Sequence, residues 1–328
     1  ILSGLVGSEM CIRDSIWASQ VARDGLMKDS RWQRERLNTP DGDFVDIDHW
    51  LGARADAPMV VLFHGLEGSS RSHYARAMAA WAERTGCHLA VPHFRGCSGE
   101  LNRMPRAYHS GDHAEIQQIL SHITGVYRTQ GGTQVHAVGV SLGGNALMLW
   151  AAMQGHLARD MVDSVTSICS PLDLTASGHA IGRGLNRQIY TPYFLRSMLP
   201  KAEAKWKQFP GLFDLDALRC VRDLYQFDQI FTAPLHGFAG TLDYWRRASA
   251  KPHLQAIQVR ACIINALNDP FIPSDSLPTE AEVSATCRLI YTRRGGHVGF
   301  VAGNVPPGRI SLAELLIPQL EMHFISQT

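Results

Sequence analysis

The stretch Val135–Ala151 reads VHAVGVSLGGNALMLWA, and its reading decides the fold. It opens with small apolar residues in an unbroken run, the pattern of a strand buried on both faces of a parallel sheet. Its second half, from Leu142 onward, has helix-forming composition. Between the two the chain turns at a single serine, Ser141. Gly139-Val140-Ser141-Leu142-Gly143 fits G-x-S-x-G, with the strand before and the helix after that this pattern requires. The glycines have a steric purpose: the serine occupies a strained conformation, so positions 139 and 143 must lack side chains for strand and helix to pass closely. The turn leaves a hydroxyl projecting above a sheet at a helix N-terminus, where the dipole favours developing negative charge. A phosphate-binding loop is the competing reading. The spacing lacks both G-x-G-x-x-G and the Gly-Lys pair of a P-loop, so no nucleotide cofactor is expected.

Working outward, the same strand signal recurs. PMVVLFHG (58–65), CHLAVPHFRG (87–96) and MVDSVTSICS (161–170) are apolar runs, separated by helical patterns at Ser72–Arg84, Asp112–Tyr127 and Gly144–Gln154. RERLNTPDGDFVDIDHW (34–50) predicts a hairpin about a Pro-Asp-Gly turn. After Pro171 the alternation breaks. Residues 171–251 carry amphipathic, aromatic-rich stretches interrupted by Pro192, Pro200, Pro210 and Pro234, which predicts a mostly helical cap inserted in one domain. Strands return in IQVRACIINALND (257–269) and CRLIYTRRGGH (287–297), with a last helix expected over Leu312–Ile325. Strand and helix in alternation imply a mostly parallel, doubly wound α/β sheet with right-handed crossovers. The domain is expected over residues 31–328. Residues 1–30 are set apart as an extension, whose first fifteen residues, ILSGLVGSEMCIRDS, resemble a translated sequencing adapter and are read as foreign.

A serine hydroxyl is a weak nucleophile until a base takes its proton and a carboxylate fixes that base. On a sheet of this type the partners come in the order acid, histidine, on loops at strand C-terminal ends. Asp269 comes directly after one apolar strand and His297 just after the next. Asp214, Asp216 and Asp228 lie within the insertion, at no strand end. Ser141, Asp269 and His297 are therefore the expected triad. Donors for an oxyanion are expected from the N–H of Leu142, after the serine, and of Leu66, in the loop FHGLEGSS (63–70). The aromatics Tyr190, Tyr193, Phe194, Trp206, Phe209 and Phe213 belong to the cap core, with one or two expected to line an apolar acyl pocket. YHSGDH places His109 and His113 about Asp112, but no H-E-x-x-H or second carboxylate cluster accompanies them, and no metal is expected. Cys97 has no partner base and is expected to pack.

The totals narrow the partners. The chain has 328 residues, 45% hydrophobic and 19% charged, with a formal net charge of +1. No field of one sign is available to attract nucleic acid or an anionic membrane. Basic pairs such as Arg246-Arg247 and Arg293-Arg294 are expected on the solvated surface. Seven cysteines form no CxxC pair, which points to a reducing, cytoplasmic location. No apolar run approaches the ~18 residues of a membrane span. The oligomeric state stays open.

HGLEGSS (64–70), HFRGCSGELNRMPRAYHSG (93–111), GVSLGGN (139–145), NDPFIP (268–273) and GGHVGF (295–300) together resemble the YheT-like branch of the α/β-hydrolases, bacterial relatives of the ABHD lipases and esterases. The resemblance extends from about Arg34 onward, including DGDFVDIDHW (41–50) and, in the cap, RDLYQFDQIFTAPLHGFAG (222–240). It implies a serine carboxylesterase acting on a small-molecule ester, of short to medium acyl chains or of a lipid, with Ser141, Asp269 and His297 on the family's triad motifs. A thioesterase, an amidase or an acyltransferase on the same triad stays open, as does a binding protein of this fold without turnover. The resemblance departs at the front, where the odd leader replaces the family's Pro- and Trp-containing segment.

Overall fold

The computed structural model describes residues 31–302 and 309–310. The leader and the helix expected over Leu312–Ile325 lie outside these residues. The expected hairpin forms from β1 (Gln33–Asn38) and β2 (Phe44–Trp50), closed by the Gly42 N–H on the Thr39 carbonyl, with Gly42 left-handed at φ 83°. The apolar runs become β3 (Met59–Phe63), β4 (His88–Pro92), β5 (Val135–Val140), β6 (Ser164–Ile168), β7 (Arg260–Ala266) and β8 (Cys287–Thr292). They build one sheet in the order β1-β2-β4-β3-β5-β6-β7-β8, in which β1 pairs antiparallel with β2, β2 antiparallel with β4, and the rest are parallel.

Helices cover both faces, as buried parallel strands require. α1 (His73–Thr85) comes after β3 and buries Tyr74, Met78 and Trp81 against Val60, Leu62, Val138 and Val140. It ends at Gly86, left-handed at φ 74°. α2 (His113–Thr129) presents Ile116, Ile119, Leu120 and Ile123 to the opposite face, beside Trp150 of α3 (Leu142–Gln154). α3 is buried nearly all round, so its apolar residues show no one-sided stripe. Full burial of one such side chain contributes about 1.5–3 kcal/mol. The helix starts at Leu142, two residues before the expected Gly144. Ser141 is its cap, and the Ser141 carbonyl already accepts from the N–H groups of Gly144 and Asn145.

Between β6 and β7 the chain is mostly helical: α4 (Leu174–Ile181), the long α5 (Gly184–Gln208), α6 (Leu215–Arg219), short turns through residues 224–235, and α7 (Thr241–Ala248). α5 contains both Pro192 and Pro200.

The sheet order changes direction at β3 and β5: β4 lies outside β3, whereas β6 continues on the far side of β5. A crevice beyond the C-terminal ends of the strands at such a point is where ligands bind in open α/β sheets. Phe63 pairs with Gly139, and Val140 with Ile168, so the ends of β3, β5 and β6 lie side by side.

Candidate active site

The crevice holds Ser141. Its backbone is at φ 52° and ψ −120°, a conformation that costs a non-glycine residue about 1–3 kcal/mol and persists only where the surroundings enforce it. The enforcement is visible. The Ser141 N–H donates to the Ile168 carbonyl at 2.9 Å, tying the turn to β6. A Cβ on residue 139 would come within 2.4 Å of the Gly144 Cα, and one on residue 143 within 2.5 Å of the His64 carbonyl oxygen. Gly144, which the pentapeptide pattern does not include, is as constrained, because a Cβ there would meet Ser170 Oγ at 1.9 Å.

Asp269 and His297 reach the serine from the ends of β7 and β8. His297 Nε2 stands 3.0 Å from Ser141 Oγ, and His297 Nδ1 stands 2.9 Å from Asp269 Oδ2. The other carboxylate oxygen, Oδ1, accepts from the Phe271 N–H at 2.8 Å, and the Asp269 side chain has no exposed surface. The histidine loop is positioned from several sides. Asn268 Oδ1 accepts from the Gly296 N–H at 3.0 Å, and His73 Nε2 donates to the Val298 carbonyl at 2.9 Å. The Phe271 ring packs on the imidazole with centroids 4.3 Å apart. Gly296 and Val298 both have positive φ, 56° and 62°. Below the acid, Cys169 is itself left-handed at φ 47°, and its thiol is pushed well above its ordinary value by burial and by the Asp269 charge.

The loop after β3 lies against the serine: a Cβ on Gly65 would be 3.1 Å from Ser141 Cβ. No acceptor among the described residues takes the Leu66 N–H. Leu142 is the first residue of α3, where N–H groups have no intrahelical acceptor. Two side chains hold this loop, His64 of the His64-Gly65 pair that ends the strand and Tyr74, which the sequence reading did not single out. His64 accepts from the Phe94 N–H at Nε2, 3.0 Å, so its proton is on Nδ1, which donates to the Gly65 carbonyl at 2.7 Å. Burial lowers this imidazole to about 3, so it stays neutral. Tyr74 Oη accepts from the Gly65 N–H at 2.9 Å. The His-Gly pair at a strand end was the signal for the first; nothing local marks the second, which arrives from α1.

Leu66 and Leu142 also border a cavity of about 80 Å³. Its apolar wall comes from Leu101, Met198, Phe227 and Phe231, and Glu67, Tyr108, Lys201 and Asp228 contribute polar atoms. None of the six cap aromatics expected as pocket candidates borders it. Tyr190 and Phe194 pack on Phe271, Phe213 packs on Phe231, and Trp206 Nε1 donates to the Phe213 carbonyl at 3.2 Å. Tyr193 is 68% exposed. Burial pushes the Asp228 carboxyl up to about 6, partly offset by hydrogen bonds from Thr232 and Trp245.

The histidines about Asp112 are otherwise employed. Asp112 caps α2 through the Glu115 N–H and pairs with Arg106, while His109 packs against His236 with the rings tilted at 59° and centroids 4.5 Å apart. Among the described residues no three His, Cys, Asp or Glu side chains are grouped to hold a metal ion. Burial pushes the Cys97 thiol up to about 12, too high for a reactive thiolate. Among the described residues no helix is long and apolar enough to cross a membrane.

An α/β sheet in this order, with a strained serine after its fifth strand and a histidine and a carboxylate reaching it from the last two, defines an α/β-hydrolase. The family model described as "alpha/beta hydrolase fold" matches residues 58–222. The chain is 39% identical over 280 residues to the Escherichia coli K12 protein named "Putative esterase YheT", covering 84% of this chain and 79% of that one. It is 27% identical over 286 residues to the Mus musculus protein named "Phospholipase ABHD3", with 84% of this chain and 68% of the relative covered. The solved structure of mouse alpha/beta hydrolase domain-containing protein 10 superposes with a TM-score of 0.56 at 12% identity, over 90% of this chain and all of that one, a likeness of fold alone. The chain belongs to the α/β-hydrolase family, in its YheT-like branch.

Proposed function

We propose that the protein is a serine hydrolase of carboxylic esters that works through an acyl-enzyme on Ser141. One observation carries the reading: His297 is within hydrogen-bond reach of Ser141 Oγ through Nε2 and of Asp269 through Nδ1. In this scheme Asp269 stays ionised and accepts a hydrogen bond from the Nδ1–H, which keeps Nε2 unprotonated and free to take the serine proton as Oγ attacks the ester carbonyl. The N–H groups of Leu66 and Leu142 receive the charge that develops on the carbonyl oxygen. His297 then returns its proton to the departing alkoxide, and a water activated by the same imidazole releases the acid. The names of the relatives, an esterase and a phospholipase, support an ester as the substrate. The cavity beside the two leucines would receive the acyl chain. Its volume suits short to medium chains, each buried methylene contributing about 0.8 kcal/mol. All six cysteines of the described residues are free, which supports action in the reducing cytoplasm.

A fluorophosphonate probe tests the nucleophile. Mass spectrometry of the labelled, folded protein is expected to place the adduct on Ser141, and Ser141→Ala is expected to lose about a millionfold in kcat, as when a triad serine is removed elsewhere. An adduct on another residue would overturn the assignment. A p-nitrophenyl ester series from acetate to palmitate is expected to peak at short to medium chains.

A further inference from the structure

The loop that supplies the Leu66 N–H breaks a local rule. Residues Gly65–Gly68 form a tight turn closed by the Gly68 N–H on the Gly65 carbonyl at 2.9 Å, and its third residue, Glu67, has φ 57°. Glycine is the ordinary occupant of a left-handed position in such a turn. A glutamate costs more there and is kept only if something compensates. Three contacts compensate. The Glu67 N–H donates to Tyr108 Oη at 3.0 Å, Tyr108 Oη–H donates back to Glu67 Oε1 at 2.8 Å, and Lys201 Nζ lies 2.8 Å from Glu67 Oε2. The glutamate is therefore clamped through both its backbone and its carboxylate.

The position is electrostatically awkward. Glu67 adjoins the residue whose N–H faces the place where negative charge would develop, and it borders the same cavity as Leu66 and Leu142. An uncompensated carboxylate there has the wrong sign for that charge. Lys201 supplies the compensation, and it comes from α5, in the cap. Although burial lowers the Lys201 ammonium, its neighbours, the Glu67 carboxylate among them, raise it above its ordinary value, so it stays charged. The same helix is fixed at both sides of the crevice. Asn186 Nδ2 donates to the Pro270 carbonyl at 2.6 Å, beside the acid, and Lys205 Nζ donates to the Asn102 and Met104 carbonyls at 2.7 and 2.8 Å.

We infer that Glu67, Tyr108 and Lys201 form a positioning device for the oxyanion donor, in which the cap lysine neutralises a carboxylate that would otherwise oppose the reaction. The inference rests on the serine-hydrolase reading above and concerns how that site is held. Its signature is an asymmetry. Removing the lysine alone leaves the opposing charge, whereas removing both charges does not.

The test compares Lys201→Met, Glu67→Gln, the double variant and Lys201→Arg with the wild type. It measures kcat and KM on p-nitrophenyl butyrate and the rate of inactivation by an organophosphonate, whose phosphoryl oxygen occupies the same hole. Lys201→Met is expected to lose about 10²-fold in kcat, on the scale of losing one oxyanion donor, with KM little changed and inactivation slowed in parallel. Glu67→Gln is expected to lose less, the double variant to regain about tenfold over Lys201→Met as the opposing charge is removed, and Lys201→Arg to recover most of the loss. A double variant no faster than Lys201→Met, or a loss carried by KM alone, would overturn the inference. Should Lys201→Met not fold, a Glu67→Gln variant that is slower than the double variant overturns it as well, and a faster or equal one upholds it. A wild-type protein that hydrolyses no ester and takes no label on Ser141 would instead overturn the underlying reading.

Discussion

Asp269→Asn separates what the acid does from where it stands. The carboxylate makes two contacts, Oδ2 with His297 Nδ1 at 2.9 Å and Oδ1 with the Phe271 N–H at 2.8 Å. An asparagine of the same shape must present its Nδ2 to one of them. Facing His297, Nδ2 donates to Nδ1, the imidazole carries its proton on Nε2, and the ring cannot accept from Ser141 Oγ at 3.0 Å. Turned over, Nδ2 meets the Phe271 N–H, donor against donor, and a buried group left unpaired costs about 1–3 kcal/mol. The first arrangement is the cheaper, and it is the inactive tautomer. The same exchange in a serine protease costs about 10⁴ in kcat, equivalent to about 5.5 kcal/mol of barrier. A loss of about 10³–10⁴ is expected here on that precedent. The assay is kcat/KM on a p-nitrophenyl ester, with circular dichroism to show that the variant is folded. Asn268→Ala is the control: it removes the bond to the Gly296 N–H, a neutral hydrogen bond of about 1 kcal/mol, and about a tenfold loss is expected. A folded Asp269→Asn within tenfold of wild type, or one less impaired than Asn268→Ala, would refute the reasoning.

Two further outcomes concern stability. Gly143→Ala puts a methyl 2.5 Å from the His64 carbonyl oxygen and 2.6 Å from that of Phe63; both are backbone, so a loss of about 1–3 kcal/mol in urea unfolding is expected, as for overpacking, and an unchanged midpoint would refute the close approach. Asp228 has a folded pKa raised by burial to about 6, so its contribution to stability is present below the ordinary carboxylate range and lost as pH rises through that value. Asp228→Asn escapes the loss and is expected to exceed the wild type by about 2–3 kcal/mol near pH 8 while matching it near pH 4; a difference in Tm that does not vary with pH would refute it.

The sheet was legible because its strands are buried on both faces and therefore written as unbroken apolar runs. The parallel order came from their alternation with helices. The meeting of Ser141, Asp269 and His297 was legible for a related reason: each stands just past one of those runs, and strand ends converge at one edge of a parallel sheet. What supports them was not legible. Tyr74 reaches Gly65 from α1, and His73 reaches Val298 across 225 positions of sequence, so no local pattern announces either contact. The cavity wall was not legible for a different reason. In an insertion without a repeating period, aromatic residues signal burial but not what they are buried against. Phe194 and Tyr190 went to the acid loop, and the wall fell to Phe227 and Phe231.

α5 shows how the insertion and the sheet depend on each other. Prolines at 192 and 200 argue for a broken helix, since each removes one bond to the fourth residue before it. The carbonyls released belong to Gln188 and Arg196, both on the exposed side, where water can satisfy them. The helix therefore runs unbroken from Gly184 to Gln208, about 37 Å at 1.5 Å per residue, long enough to cross the crevice. Its early turns fasten to the loop that carries Asp269 and its later turns to the loop that carries Leu66. A shorter helix could hold only one of the two. The continuity that two prolines argue against is what lets one element of the cap set the spacing between the loop of Asp269 and the loop of Leu66.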